Sequence, residues 1–191
     1  MDPTRRNMVG GALAWGATTT IFGACRGSDA SGPAQNAAGW PRYEGDLRVL
    51  FDDAITLAAV GLAMDGASPL DDPLLRRRAF EAELTARVRV QTVTVDVVGA
   101  VKRFTLGVEV GQPPLIAPRW ETTGFELEFD PQKPGYRVLE QLGGGLRGRT
   151  FVAFAHRFAG TGGLETHVHF TADVDEVHRQ IQQWRGLSAF E

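Results

Sequence analysis

The chain of 191 residues contains a single cysteine, Cys25, and almost no serine after residue 31. One thiol cannot form an intramolecular disulfide, so a disulfide-stabilised secreted domain is excluded. Ser68 and Ser188 are the only serines after residue 31, and no Gly-x-Ser-x-Gly segment is present. The sequence therefore carries no motif for nucleophilic catalysis by serine or cysteine.

A strong charge of either sign is also lacking, because the formal net charge is −3. Proteins that bind nucleic acid usually present a basic face, so no nucleic-acid partner is predicted. A long hydrophobic run is missing as well. Residues 8–24 include four glycines and three consecutive threonines, and a membrane span needs about 20 predominantly apolar residues.

What the N-terminus does contain is typical of an export signal. Arg5 and Arg6 precede the short apolar stretch 8–22, and two small residues, Gly23 and Ala24, stand directly before Cys25. A basic start, a short apolar stretch and small residues at the cleavage site define secretory signal peptides. This order predicts that the chain leaves the cytoplasm.

Two parts of this segment resemble specific motifs of bacterial lipoproteins. Arg5 and Arg6 look like the paired arginines of a twin-arginine export signal, and residues 22–25 resemble a lipobox. The chain is thus similar to uncharacterised bacterial envelope lipoproteins. The resemblance implies a diacylglycerol on Cys25, cleavage just before it, and a protein anchored in the cell envelope facing the periplasm or the exterior. The same resemblance implies that Arg26 is not a retention signal and that the outer membrane is the destination.

The composition after Cys25 predicts the domain organisation. Residues 26–39 contain no aliphatic or aromatic residue larger than alanine, so they cannot bury enough surface to offset the entropy of ordering. We predict a signal peptide over 1–24, the lipidated cysteine and a flexible tether over 25–39, and one globular domain over 40–191. That length allows a proper hydrophobic core.

Hydrophobic periodicity predicts an α+β fold. Asp72 and Pro73 are a favourable start for a helix that fades near Ala86, whereas the structure of residues 46–66 is left open. Apolar residues then alternate with polar ones in five segments, which are 88–97, 103–110, 125–129, 150–158 and 165–171. We expect a small, strongly twisted, five-stranded antiparallel sheet or an OB-like barrel, with an N-terminal helical region.

Two finer features follow from the same pattern. The alternation changes parity near Thr92, which indicates a β-bulge in the first strand. After the last strand, Val174, Val177, Ile181 and Trp184 form an apolar stripe at helical spacing. This stripe predicts an amphipathic C-terminal helix docked on the sheet.

The last predicted strand carries the candidate site. Glu165, His167 and His169 alternate with Val168 and Phe170, so the carboxylate and both imidazoles should share one face of the strand. Two imidazoles and a carboxylate can ligate a divalent transition metal. The sequence therefore offers a metal site at these three residues.

The pairing of the last two strands leaves a second interpretation open. A five-residue loop over 159–163 would place Phe158 opposite Leu164 and Arg157 opposite Glu165. Opposite charges at such positions form cross-strand ion pairs. The histidines would then belong to an ordinary polar sheet face.

These observations predict no catalytic residue and no cofactor, with a divalent transition metal as the alternative. Asp52 and Asp53 have no partner acid at a known distance and are expected to be exposed. The leading interpretation is a lipid-anchored extracytoplasmic binding or accessory module that acts through a protein partner at the membrane surface. The alternatives are a metal-binding protein or metal-dependent enzyme, and a small-ligand binder.

The anchor hypothesis has a direct test in Cys25→Ala. Without the thiol no lipid can be attached, so labelling with a radioactive fatty acid should be lost and the protein should move to the soluble fraction. Fractionation of cells that express each form measures this. Retention of Cys25→Ala in the membrane fraction would contradict lipid anchoring.

Overall fold

The computed structural model describes residues 39–62 and 67–188. The predicted export residues Arg5 and Arg6 and the predicted lipidation site Cys25 lie outside these ranges. Within them, no helix is both long and apolar enough to cross a lipid bilayer.

The described residues fold into an α+β structure with four α-helices and a six-stranded sheet. The helices are α1 (Gly45–Leu50), α2 (Leu75–Glu81), α3 (Tyr136–Leu142) and α4 (Asp175–Ser188). The strands are β1 (Ala54–Ile55), β2 (Leu84–Val98), β3 (Val101–Val110), β4 (Gly124–Phe129), β5 (Thr150–Gly160) and β6 (Gly163–Ala172).

The sheet has the strand order β1-β6-β5-β2-β3-β4 and curls into a half-barrel. The predicted count of five strands and the purely antiparallel pairing are wrong, because β1 adds a sixth strand parallel to β6. Two residues are too few to show an alternating pattern, so periodicity could not reveal β1. The closed OB-like barrel is not confirmed.

The bulge predicted near Thr92 is confirmed. The register between β2 and β3 shifts between Val90 and Thr92. β2 pairs with β5 from Leu84 to Arg89 and with β3 from Val88 to Val98. The bulge therefore lies just beyond the point where β2 leaves β5, which is where a sharper twist lets the sheet curl.

The predicted register of the β5–β6 hairpin is wrong. Gly160 pairs with Gly163, so a two-residue turn joins the strands and Phe158 lies opposite Glu165. Gly163 has a φ of 136°, which glycine adopts at little cost and which permits the tight turn. The consequence for the candidate site is that His167 lies opposite His156 instead of an alanine.

Buried hydrophobic residues form two separate clusters. The first lies between β2–β6 and α3 and includes Leu106, Phe129, Leu139, Phe151 and Phe170. The second lies between β5 and the helices α1, α2 and α4 and includes Leu50, Leu75, Phe154, Phe158 and Ile181. The second cluster covers only β5 among the strands, and the polar residues Glu126 and Glu128 of β4 remain exposed.

The docked C-terminal helix is confirmed in its main features. Val177 and Ile181 of α4 are fully buried in the second cluster, and Trp184 packs against it. Val174, the first residue of the predicted stripe, precedes α4 and is 36% exposed. The stripe therefore begins one helical turn later than the sequence pattern predicts.

Gly135 tests how tightly the loop before α3 packs against the rest of the fold. A Cβ at this position would lie 2.6 Å from the Asp53 carbonyl oxygen and 2.7 Å from Cε1 of Phe129. Gly135→Ala should therefore lower the free energy of unfolding by about 1–3 kcal/mol, as overpacking does elsewhere. Denaturant unfolding followed by tryptophan fluorescence measures it.

Gly144→Ala is the matched control. Nothing lies within 4 Å of a Cβ there, so this change should be neutral or stabilise by up to about 1 kcal/mol. Equal effects of the two substitutions would contradict the close packing at Gly135.

Candidate functional site

The candidate site forms where the segment before β1 meets β6. Ala54 pairs with His169, which brings the two preceding aspartates alongside the histidines. Oδ2 of Asp53 lies 2.7 Å from Nδ1 of His167, and Oδ1 of Asp52 lies 2.8 Å from Nδ1 of His169. The expectation that Asp53 is exposed is wrong, because only 1% of it is accessible.

The Asp53 carboxylate joins three separate parts of the chain. Besides His167, it accepts the backbone N–H of Val168 at 3.0 Å, and its Oδ2 lies 3.0 Å from Nζ of Lys133. Its own carbonyl oxygen accepts the N–H of Gly135 at 2.9 Å. Asp53 has a φ of 54°, a left-handed conformation that aspartate tolerates better than most residues and that often marks functional sites.

These contacts determine which nitrogen of each imidazole carries a proton. A carboxylate can only accept hydrogen bonds, so Nδ1 of His167 and of His169 is the donor, and when the ring is neutral Nε2 carries the lone pair. Within the described residues, both Nε2 atoms are buried without a hydrogen-bond partner. An unsatisfied buried polar atom costs about 1–3 kcal/mol, so each requires an explanation.

Tyr43 covers one side of the His167 ring. The two rings are stacked with centroids 3.4 Å apart and planes 5° from parallel, and the phenol donates to the Phe51 carbonyl oxygen at 2.6 Å. Burial raises the pKa of Tyr43 well above its ordinary value, and the nearby carboxylates of Asp53 and Asp52 add to this. The phenol is therefore neutral and holds the imidazole from one side.

A cavity of about 500 Å³ opens beside His167. Its walls are β4 and the loop after it on one side and the start of β6 on the other, with Arg103 of β3. The lining residues are Arg103, Glu126, Glu128, Phe129, Asp130, Lys133, Leu164, Glu165, Thr166 and His167. β4 and β6 are not neighbours in the sheet. The cavity therefore lies in the opening of the half-barrel, between these two strands.

The edge of β6 that faces away from β5 also carries backbone groups. The N–H of Val168 and the carbonyl of Phe170 lie on this edge and are bonded to Asp53 and Thr56. Backbone direction repeats every second residue in an antiparallel strand, so the amide groups of Thr166, which lines the cavity, lie on the same edge.

A second cavity of about 280 Å³ lies beside the first. Asp130, Lys133 and His167 line both cavities, and Tyr43 and Arg48 line the second alone. The Lys133–Asp53–His167 contacts therefore form the wall between two polar cavities. Movement of this wall would change both of them.

The structure separates the three residues of the metal prediction. Oε2 of Glu165 lies 3.8 Å from Nε2 of His167, and both residues line the larger cavity. His169 lines neither of the two cavities. Across residues 39–62 and 67–188, no group of three or more His, Cys, Asp or Glu side chains is arranged to hold a metal ion.

The predicted polar sheet face is wrong. His167 and His169 are 6% and 5% exposed, and the predicted ion pair between Arg157 and Glu165 is replaced by another. Nε of Arg157 binds the Glu83 carboxylate at 3.0 Å, and its guanidinium lies between the rings of Trp40 and Trp120. Glu165 is thereby left with its carboxylate half exposed at the cavity.

Two further titratable groups have shifted pKa values away from the cavity. Burial lowers the pKa of His156, which lies opposite His167 and contacts the Arg157 carbonyl oxygen through Nδ1 at 2.7 Å. For Asp173, burial opposes ionisation, but hydrogen bonds from Thr150, Arg87 and His178 lower its pKa overall. These groups explain local structure and do not line the site.

Sequence reasoning placed Glu165 and His167 correctly on one strand but missed Tyr43, Asp53 and Lys133. Asp53 and His167 are 114 residues apart, and no local pattern links them. Two aspartates directly before a short apolar segment were a visible signal, although their pairing with β6 was not.

The fold and the site together define an α+β domain with a charged cavity in the opening of a curled sheet. No protein-family model matches the chain, and no curated protein or solved structure is significantly similar to it. The function must therefore be argued from the geometry of the site.

The role of the Asp53 carboxylate can be measured by Asp53→Asn. The substitution keeps the shape of the side chain. It removes the negative charge that faces Lys133, and it replaces one acceptor oxygen by a donor. Hydrogen bonds to charged groups contribute about 1.5–3 kcal/mol each, so the free energy of unfolding should fall by about 2–3 kcal/mol. Denaturant unfolding gives the value.

Asp52→Asn is the control for the same chemical change one residue earlier. The Asp52 side chain is 32% exposed and its bond to His169 is partly accessible to water, so its loss should cost about 1 kcal/mol or less. A larger loss for Asp52→Asn than for Asp53→Asn would contradict the central position of Asp53.

Proposed function

We propose that the protein is a lipid-anchored binding module of the bacterial cell envelope that holds a small polar ligand in the cavity beside His167. The observation that carries this proposal is the Nε2 atom of His167, which is buried and has no hydrogen-bond partner among the described residues, in a residue that lines the cavity. A ligand with a suitable donor would satisfy it and remove the cost of leaving it unpaired.

The size and construction of the cavity support ligand binding. Its volume of about 500 Å³ is within the range of about 300–1,000 Å³ that small-molecule sites occupy. His167 and Glu165 lie on β6, which pairs with β5 over ten registered positions. Sites built on such paired strands hold their side chains more precisely than loops do.

The lining of the cavity defines what kind of ligand it can take. Apart from Phe129 and Leu164, the lining residues are polar or charged, so a purely apolar ligand would leave their groups unpaired. A ligand with several hydrogen-bonding or charged groups suits this surface. The acidic side chains also disfavour the phosphates of nucleic acid.

Anchoring and partner are further parts of the proposal. Export by Arg5 and Arg6 and a lipid on Cys25 would hold the domain at a membrane, in our proposal the outer membrane, facing the periplasm or the exterior. There it would act as a binding or accessory module, and a protein partner would recognise its ligand-bound form. The proposal assigns no catalytic residue.

Metal binding is the second candidate. One observation favours it, since metal-ligating histidines usually donate their other ring N–H to a carboxylate, as His167 and His169 do here. Elemental analysis of the purified protein tests it. A metal that disappears in the double variant His167→Ala, His169→Ala would support this candidate, and a metal-free protein would exclude it.

The proposed function is tested by a screen of small polar compounds against the full-length protein in detergent. Thr166→Phe places an aromatic ring in the cavity, and Thr94→Phe makes the same change on an exposed part of β2. Compounds that bind the wild-type protein and Thr94→Phe should lose at least about tenfold in affinity with Thr166→Phe. Ligand-observed NMR detects the binding.

Two results would contradict the proposal. One is a library that covers cations, anions and neutral compounds and gives no binding to the wild-type protein. The other is binding that Thr166→Phe leaves unchanged, which would place the ligand elsewhere.

A further inference from the structure

The cavity beside His167 has an excess of negative charge. Four carboxylates line it, those of Glu126, Glu128, Asp130 and Glu165, against the cations Arg103 and Lys133. Lys133 is already engaged, since its Nζ lies 3.0 Å from the Asp53 carboxylate and donates to the Glu128 carbonyl oxygen at 2.6 Å. Arg103 is thus the cation that remains to offset four carboxylates.

The unpartnered atom of His167 gives an independent indication of the ligand. His167 is 6% exposed, and in the neutral ring whose Nδ1 donates to Asp53 the lone pair is on Nε2. The nearest carboxylate oxygen, Oε2 of Glu165, is 3.8 Å away, which is too far for a hydrogen bond. The lone pair of the neutral ring and the Glu165 carboxylate are thus two acceptors 3.8 Å apart, and no donor among the described residues pairs with Nε2.

A group that satisfies both acceptors must donate at least two hydrogen bonds, and a positive charge would also match the surrounding carboxylates. An ammonium group has three N–H donors and no acceptor, and charge-assisted bonds of this kind are the stronger ones. A third donor can reach the outward-facing carbonyl of Thr166. A metal ion fits less well, because the described residues offer no set of three ligands.

We propose that the ligand of this cavity is a small organic cation whose primary ammonium group donates to His167 Nε2 and to the Glu165 carboxylate. This inference rests on the proposed function and specifies the class of ligand. Neutral polar molecules can pair with the same acceptors but leave the carboxylates uncompensated. Anions are repelled.

Three probes that share a six-carbon chain test the charge preference on the full-length protein in detergent. They are 1,6-diaminohexane, 1,6-hexanediol and adipate, measured by isothermal titration calorimetry. The diamine should bind at least about tenfold more tightly than the diol, because its ammonium group forms a charge-assisted contact that a hydroxyl group cannot form. Its affinity should fall as the salt concentration rises, and adipate should not bind.

Variants assign the contacts. Glu165→Gln removes one charge, and His167→Asn removes Nε2 while its amide can still donate to Asp53. Each should weaken the diamine by about tenfold. Glu176→Gln is the matched control, since Glu176 is exposed on α4, outside the cavity lining, and it should bind the diamine as the wild-type protein does. Thermal unfolding shows that each variant is folded.

The results separate the class of ligand from the existence of the site. If the diol or adipate binds more tightly than the diamine, the proposed preference for a cation is wrong, but the cavity remains a binding site. The same conclusion follows if compounds without an ammonium group bind the wild-type protein and not Thr166→Phe. The proposed organic cation is also wrong if the protein binds Zn²⁺ but not the diamine and if Glu165→Gln abolishes the binding of Zn²⁺. Diamine binding that Thr166→Phe does not change would overturn both proposals.

Discussion

The structure depends on one buried carboxylate, that of Asp53. It ties the segment before β1 to His167 and Val168 on β6 and to Lys133 after β4. A two-residue strand such as β1 cannot hold these parts together by its own ladder. An ionised group is costly to bury unless it is fully paired, and here each carboxylate oxygen has at least one donor. The pairing is what allows Asp53 to remain inside.

Asp53 also explains why the half-barrel has an opening. β1 continues the β6 edge only at His169 and Phe170, and the Asp53 side chain then accepts the Val168 N–H where a strand carbonyl would otherwise do so. Beyond this point, within the described residues, the edge of β6 that faces away from β5 has no neighbouring strand, and β4 forms the opposite edge of the sheet. The cavity lies next to the point where Asp53 contacts β6. The Asp53–His167 contact that stabilises the fold therefore also borders the site.

Local patterns were sufficient for much of the fold. Alternation found the strands β2 to β6 and the bulge near Thr92, and the helical stripe found α4, because each of these depends on neighbours in sequence. The same reasoning missed β1 and α3 and misplaced the β5–β6 register, since a two-residue strand has no period and a glycine-rich turn admits several lengths. At the site it found Glu165 and His167, whereas Asp53 and Lys133 meet them only through long-range pairing.

The groups at the opening act mainly as hydrogen-bond acceptors. The Asp53 carboxylate accepts the Nδ1–H of His167 and leaves the lone pair of the neutral ring on Nε2. The adjoining phenol of Tyr43 donates to the Phe51 carbonyl oxygen and is kept neutral by burial. What the site does supply is a lone pair, several carboxylates and outward backbone groups held on a rigid strand. Such a surface accepts hydrogens and positive charge, which is what recognition of a cation requires.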